Sequence, residues 1–455
     1  MSQHDYVLDN APGANFRGDI NAVLQAIVSN NSGSSAPSIT YPFMWWACTN
    51  PSVMVLYQRN AANSDWVPVL DLTTMLPKGS GGVASAQTFL RGDGQWSTIA
   101  TSALPIEKLD WNSPCFIKTG GSTMAVKAGT RFKVSDSLVI SFIAQTNVSM
   151  PSLTAGMDYS IWCKPDGTLQ ALADPYYSKA VAPVAGAVKV GGWHQGLTAY
   201  GTTPAGGSFS TSGFTNTGGS MIWTQSKVDD IAGINKYSIW DLAWQCAGEQ
   251  RGMALDPQYQ QWVAIYFTST NHILNGPSTY NTDIASGSVL PRIPLVYGGD
   301  GNTNYGKMSQ YECEEIAGSF GLHLPDIDVF RSAAFGVTEA QSLGGASVTV
   351  PVTLRQPGYT SRIGLEQTTG HQWIFARGSF ASGGNGWYAG GNRGQAYSFS
   401  DAPYIMLLGS FRDYGSSSGS RASTSANLAS FSLWYVSLRC AGDHLKPAWA
   451  RGSAA

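Results

Sequence analysis

The chain has 455 residues, room for about three domains of the usual ~150 residues each. Only 12% of the residues are charged, and 27 Lys and Arg face 29 Asp and Glu for a formal net charge of −2; this excludes the basic footprint of a nucleic-acid binder or a polybasic membrane-surface protein. Hydrophobic residues at 43% exclude a disordered chain, no apolar run approaches the ~18 residues of a membrane-spanning helix, and Met1-Ser-Gln-His-Asp-Tyr6 does not open a secretory signal.

The first element expected is a helix over about Asn15 to Ser29. Ile20, Val23, Leu24, Ile27 and Val28 fall at i, i+3, i+4, i+7 and i+8, one apolar stripe. A lone helix of about four turns is marginal in water, so the stripe packs either in a bundle between identical chains or on its own domain. Asn30-Asn-Ser-Gly33 ends it, and residues 1–38 form a helix-plus-linker region. Residues 39–104 read as a β-rich region opening on a hairpin, with Phe43–Ala47 and Val53–Tyr57 separated by turn residues and Trp66–Val69 as a further strand. Its Gly-rich end holds Lys78-Gly-Ser-Gly-Gly82 and Arg91-Gly-Asp-Gly94. The Arg-Gly-Asp triplet is read as a tight turn.

Residues 105–200 read as a β-sandwich of short alternating strands: Thr123–Lys127, Thr130–Val134, Leu138–Phe142 and Tyr159–Cys163, with turns such as Lys164-Pro-Asp-Gly167. The Gly/Ser/Thr-rich run at 201–220 reads as a linker, placed at 201–225. Residues 226–455 form the last domain. Met308–Ala317 is expected to be helical with Gly318 as its stop, and Pro325–Phe335 is a second helix starting on Pro325. Gly344 to Asp443 is expected to be loop-rich with much irregular chain. The fold class is therefore mainly β, with an α+β C-terminal part.

Chemical motifs are weak. Gly415-Ser-Ser-Ser-Gly419 spells a nucleophile elbow around Ser417, but the following Ser-Arg-Ala-Ser-Thr-Ser is a poor helix. Gly384-Asn-Gly-Trp-Tyr-Ala389 spells a dinucleotide-binding turn with no βαβ unit around it. Cys48, Cys115, Cys163, Cys246, Cys313 and Cys440 are too dispersed for a zinc site or disulfide scaffold and are expected as buried free thiols. His4, His194, His272, His323, His371 and His444 show no metal spacing. Glu312, Glu314 and Glu315 read as the solvated face of a helix. No cofactor, metal or catalytic residue is expected, although a carboxylate pair for glycoside hydrolysis is a property of three dimensions that spacing does not reveal. The positive signal is Phe411 to Val436, where Phe, Tyr, Arg and Asp are set among Ser, Gly and Asn. That is the composition of a recognition surface, and equally of a plain surface loop.

From about Cys115 to Leu445 the chain resembles the major tropism determinant family of phage tail-fibre receptor-binding proteins. The resemblance rests on ordered matches that include Pro151-Ser-Leu-Thr-Ala-Gly-Met-Asp-Tyr-Ser-Ile161, Lys189-Val-Gly-Gly-Trp-His194, Ile234-Asn-Lys-Tyr-Ser-Ile-Trp-Asp-Leu242, Gly298-Gly-Asp-Gly301, Ala334-Phe-Gly-Val-Thr-Glu339 and Asp443-His-Leu445. It implies a β-sandwich followed by a C-type lectin-like domain without a lectin-type calcium site, in a homotrimer. It also implies a virion protein, made in the host cytoplasm, that adheres to a bacterial receptor (protein, pilus or glycan) and performs no chemistry. Carrying the family's variable positions over residue by residue gives a receptor face of Phe411, Asp413, Tyr414, Gly415, Ser417, Thr424, Ala426, Asn427, Phe431, Leu433, Tyr435 and Val436.

Two places depart from the family. Arg439-Cys-Ala-Gly-Asp443 has its Cys two places early, and the first 105 residues resemble other phage tail-fibre N-termini instead. On that reading the N-terminus docks on other tail or baseplate proteins, and Ile20, Val23, Leu24, Ile27 and Val28 serve trimerisation or attachment. A structural tail component and a polysaccharide-cleaving tailspike are the alternatives.

Overall fold

The computed structural model describes residues 3, 4, 6–8, 10–73, 75, 78, 88–90, 96–98, 104–199, 214, 215, 222–345, 348–389 and 395–445; at 88–90, 96–98, 214, 215, 380–389 and 395–402 only the backbone is described. The chain divides into two compact units, Met1–Ala103 and Leu104–Ala455.

In the first unit the expected helix is present as α1 (Gly13–Val28). Asn30 and Asn31 stop it in the left-handed region, at φ 49° and 52°, and the Asn31 N–H returns to Ala26 O at 2.7 Å. Asn tolerates that conformation better than other side chains. Strands β1 (Trp45–Ala47), β2 (Val55–Arg59) and β3 (Trp66–Asp71) form an antiparallel sheet in that order. Pro68 lies in the outer strand opposite Tyr57, beside a bulge, where its missing N–H does no harm. Trp46 stacks on Tyr57 at 5.0 Å, and Arg59 lies over Trp66. A two-stranded ribbon follows, β4 (Thr88–Leu90) with β5 (Trp96–Thr98). The Arg91-Gly-Asp turn and most of the Lys78–Gly82 segment lie outside the described residues.

The second unit opens with β6 (Ile106–Glu107), β7 (Phe116–Lys118), β8 (Met124–Val126), β9 (Thr130–Ser135), β10 (Leu138–Phe142), β11 (Thr146–Asn147), β12 (Asp158–Cys163), β13 (Leu169–Ala173) and β14 (Val188–His194). They form three small sheets, β10-β9-β6, β11-β8-β7 and β13-β12-β14-β17, where β17 is Trp240–Asp241. One core joins them, with Phe116, Phe132, Tyr159, Ile161 and Trp193 all buried. Gly191 and Gly192 let β14 approach β12 and β17, because a Cβ there would overlap Phe116 and the Tyr159 carbonyl.

The expected boundary at 201–225 does not separate two cores. Most of that run lies outside the described residues; within it are β15 (Phe214–Thr215) and β16 (Ile222–Trp223), paired antiparallel. Beyond it, α2 (Gln225–Ile231) leads into Ile234, Ile239 and Ala243, which pack into the core begun at Ile106. The buried Asp241 carboxylate accepts Lys108 Nζ at 2.8 Å and the Cys115 N–H at 2.7 Å, an ion pair spanning the run.

The rest of the unit surrounds a larger core of Trp262, Met308, Ile316, Phe375, Leu407 and Leu438. It contains β18 (Met253–Asp256), β19 (Gln261–Ala264), the one-turn α3 (His272–Asn275), α4 (Gln310–Ser319) and α5 (Ile327–Ala333). Then come β20 (Trp373–Ala389), β21 (Gln395–Leu408), β22 (Ser423–Leu428), β23 (Val436–Ser437) and β24 (Ala441–Asp443). Helix α4 starts on a capping box between Ser309 and Glu312. Asp326 is the N-cap of α5, so Pro325 stands one residue outside the helix rather than at its first position. Of the three glutamates expected on a solvated face, only Glu314 is exposed: Glu312 closes the cap and Glu315 accepts the Tyr305 hydroxyl at 2.6 Å.

The larger correction is at Gly344–Asp443. The expected irregular chain contains a long antiparallel hairpin, β20 with β21, paired from Ile374↔Leu408 to Ala389↔Gln395. Its root is apolar and buried (Ile374, Phe375, Leu407, Leu408), while its outer half is rich in Gly, Ser and Asn, residues depleted in strands. The Gly384-Asn-Gly-Trp-Tyr-Ala389 string lies inside β20 and opens no βαβ unit.

The shifted cysteine region is packed throughout. Cys440 is buried, as are the other five thiols, all free. Arg439 is fully buried; its guanidinium donates to the carbonyls of Ala264, Ile265 and Glu366 at 2.6–2.7 Å and lies over the Phe267 ring. Burial pulls its pKa down to about 9. Arg439→Ala withdraws the guanidinium from three buried carbonyls, of which Ile265 O still accepts the Glu366 N–H, and unfolding in urea should show a loss of about 3 kcal/mol or more. A loss below about 1 kcal/mol would contradict this packing.

Candidate functional site

The residues of the expected receptor face meet at the root of the β20–β21 hairpin. Gly409 at φ 85° and Ser410 at φ 70° turn the chain out of β21. Phe411 then enters an aromatic cluster. It stacks on Tyr435 at 4.4 Å and 16°, meets Trp434 edge-on at 5.7 Å, and lies 4.7 Å from Tyr414. Trp373 supports Tyr414 edge-on at 5.7 Å, and Phe431 lies beside Tyr435 at 6.1 Å. Such pairs contribute about 0.5–1.5 kcal/mol each beyond their buried area.

The twelve positions do not all reach solvent. Asp413, Gly415, Ser417 and Ala426 are exposed, Tyr414 is 50% exposed and Leu433 39%. Phe431 and Tyr435 are half-buried. Thr424 and Asn427 are half-buried too, opposite Leu407 and Ile405 across a bulge in β22. Phe411 is 7% exposed and Val436 fully buried, Val436 pairing with Trp373. These two are corrected from contact residues to the layer beneath the face. Ser417 sits at the end of a single 3-10 turn (Gly415–Ser417) that continues into extended chain.

A brace from a different segment holds this loop. Glu339 accepts the Ser420 N–H at 2.8 Å and its hydroxyl at 2.5 Å, and a Cβ on Gly419 would overlap that carboxylate. Ser342 Oγ donates to Arg412 O at 2.5 Å and accepts the Gly415 N–H at 3.1 Å. The Gly370 N–H bonds Gly409 O. Side chains on the face can therefore change while the main chain stays in place. Sequence reasoning missed Trp373 and Trp434 beneath the face, and Glu339 and Ser342 behind it. Trp434 lay inside the singled-out segment and Glu339 ends one of the runs that carry the family resemblance, whereas Trp373 and Ser342 carry no local signal.

Two buried histidines, only the first of them beside the face, are disfavoured as cations. His371 bridges to Phe411 through the backbone and contacts Gln367 at 3.2 Å; burial pulls its pKa down to about 3. Burial likewise pulls His272 to about 4. Both bind a proton more weakly folded than unfolded, so their contribution is complete above about pH 6.5 and is lost as pH falls toward 4 and then 3. Buried Glu366 is raised to about 7 by burial and acts in the opposite sense, favouring the folded state most below about pH 4.5 and losing that preference up to pH 7. Denaturant midpoints should therefore fall between pH 6.5 and 4.5 in the wild type, and fall less in His371→Gln. An unchanged acid limb in that variant would contradict the assignment.

Among the described residues no group of three or more His, Cys, Asp or Glu is placed to hold a metal ion, and no helix is long and apolar enough to cross a membrane. In the first unit, Ile20 and Val23 are half-buried, and Leu24, Ile27 and Val28 are 52%, 54% and 84% exposed, so most of the apolar stripe of α1 is uncovered in a single chain.

Comparison with known proteins converges on one group. Residues 114–218 match the family described as the Mtd second domain. The chain is 33% identical over 348 residues to the tail fiber receptor-binding protein of Bordetella phage BPP-1, covering 74% of this chain and 84% of that one. Among solved structures it is similar to the Major Tropism Determinant P3c variant (TM-score 0.65) and M1 variant (TM-score 0.63), each at 28% identity over 90% of this chain and 96% of theirs. An identity of 33% sustained over three-quarters of the chain, together with a shared mostly-β fold, goes beyond likeness of architecture: the chain belongs to the major tropism determinant family of phage tail-fibre receptor-binding proteins.

Proposed function

We propose that this protein is the receptor-binding protein of a phage tail fibre, attaching the virion to a bacterial surface receptor through the face around Tyr414 and Tyr435. The observation that carries the reading is a half-exposed aromatic cluster on a main chain braced by Glu339 and Ser342. Rigid aromatics among adaptable polar residues are what a protein needs to change partner without changing fold. The C-terminal part is lectin-like, the part from Ile106 is a sandwich spacer, and the N-terminal unit docks on the tail. The protein performs no chemistry.

Three chains assemble together. The uncovered stripe Leu24, Ile27 and Val28 supports this, since an apolar helix face is stable in water only when covered. Three copies of the face make later contacts intramolecular and raise avidity. Mass measurement in solution should give about three times the 48.4 kDa chain, and the fluorescently labelled full chain should bind host bacteria. A monomer that binds no bacterium would overturn the reading; release of reducing sugar from surface polysaccharide would point to a tailspike instead.

A further inference from the structure

A polar trench runs over α5, apart from the aromatic cluster. It consists of two open basins of about 670 and 540 Å³ that share Tyr259 and Asp328. One buried carboxylate organises it. Asp256 is fully buried; it accepts Arg362 Nη2 at 3.0 Å, Ser332 Oγ at 2.9 Å and the Tyr259 N–H at 3.2 Å. It thus fixes a guanidinium in the floor and the tip of the β18–β19 turn at the rim, where the Tyr259 ring is 44% exposed. The Arg362 Nε is buried and lacks a hydrogen-bond partner.

The charges are unevenly satisfied. The Glu339 carboxylate is occupied by Ser420, and Asp328 pairs with Arg331 at 3.6 Å. Among the described residues, Arg421 in the first basin is exposed with no carboxylate in ion-pair contact, whereas Arg377 in the second lies in a lining shared with Asp326 and Asp328 and in the field of Glu314. The lining offers no deep apolar pocket of the sort in which a protein partner's anchor side chain is buried. An exposed aromatic ring beside a fixed guanidinium suits a pyranose ring that offers a C–H face for stacking and a carboxylate for pairing.

We propose that this trench is a second binding site, for an acidic oligosaccharide of the bacterial surface, with Tyr259 as the stacking platform and Arg362 and Arg421 meeting its carboxylate groups. The bacterial source rests on the attachment function proposed above; the acidic saccharide chemistry does not. Arg421 lies two residues before β22, so the trench adjoins the strand that carries Thr424, Ala426 and Asn427. Saccharide capture there would add to the contact made by the aromatic face.

The test uses the full chain on immobilised bacterial oligosaccharides containing uronic acids, against neutral oligosaccharides and carboxyl-reduced versions of the same acidic ones. Wild type should retain the acidic set and not the reduced set. Tyr259→Ala and Arg421→Glu should each weaken retention about tenfold, and Tyr259→Phe should keep it. Retention indifferent to carboxyl reduction or to both variants, absence of retention, or preference for an acidic peptide would each overturn the proposal. Whole-cell binding measured in parallel separates the two readings: cell binding without saccharide retention sinks the trench alone.

Discussion

Asp241→Ala should cost the Leu104–Ala455 unit about 3–5 kcal/mol of stability, the largest effect of any single substitution considered. The carboxylate is fully buried and accepts four donors: Lys108 Nζ and the N–H groups of Cys115, Ala243 and Trp244, at 2.7–2.8 Å. Lys108 is equally enclosed, its side chain 2% exposed with the ammonium over the rings of Trp111 and Trp244. Removing the carboxylate leaves a buried cation and the unpaired N–H groups of Cys115 and Ala243, while the Trp244 N–H keeps its 3.1 Å bond to Asp241 O. Asp241→Asn keeps one acceptor and should lie between. Urea unfolding measures both, and a loss below about 1 kcal/mol for Asp241→Ala would contradict the role assigned to the pair.

The second large effect is on binding. Tyr414→Ala and Tyr435→Ala should each weaken receptor affinity by about 2 kcal/mol, the size of an interface hot spot, while leaving unfolding nearly unchanged for the more exposed Tyr414. The double variant should fall short of the sum, because both rings rest on Phe411. Phe411→Ala is a different experiment: at 7% exposure it removes packing, so it should lower stability by about 3 kcal/mol or more. Surface plasmon resonance on immobilised host cell envelopes, paired with denaturation, separates the two. Normal affinity in both tyrosine variants would move the receptor contact elsewhere.

How far the sequence could be read depended on whether a residue's role was local. Helix α1 was legible from an apolar stripe with Asn30 and Asn31 behind it, and β9, β10 and β12 from alternation and turns. The outer half of β20 and β21 was not, because its strand character comes from pairing with its partner rather than from its own Gly, Ser and Asn. The 201–225 boundary failed for a related reason. Composition marks where a chain crosses solvent, but not that Asp241 beyond it returns to Lys108 and Cys115. The site followed the same division. The segment 411–436 stood out by composition, and family resemblance supplied its positions. Which of them face outward depended on the bulge in β22 and on the stacking of Phe411 beneath Tyr435, both set by tertiary packing.

The central claim is that this face makes the contact by which the phage adsorbs. Its most direct test is competition: host bacteria are saturated with the purified full chain, then challenged with the parent phage, and free particles are counted. Wild-type protein should block adsorption, and the folded Tyr414→Ala, Tyr435→Ala double variant should not. Blocking by both proteins alike, or by neither, would contradict the account.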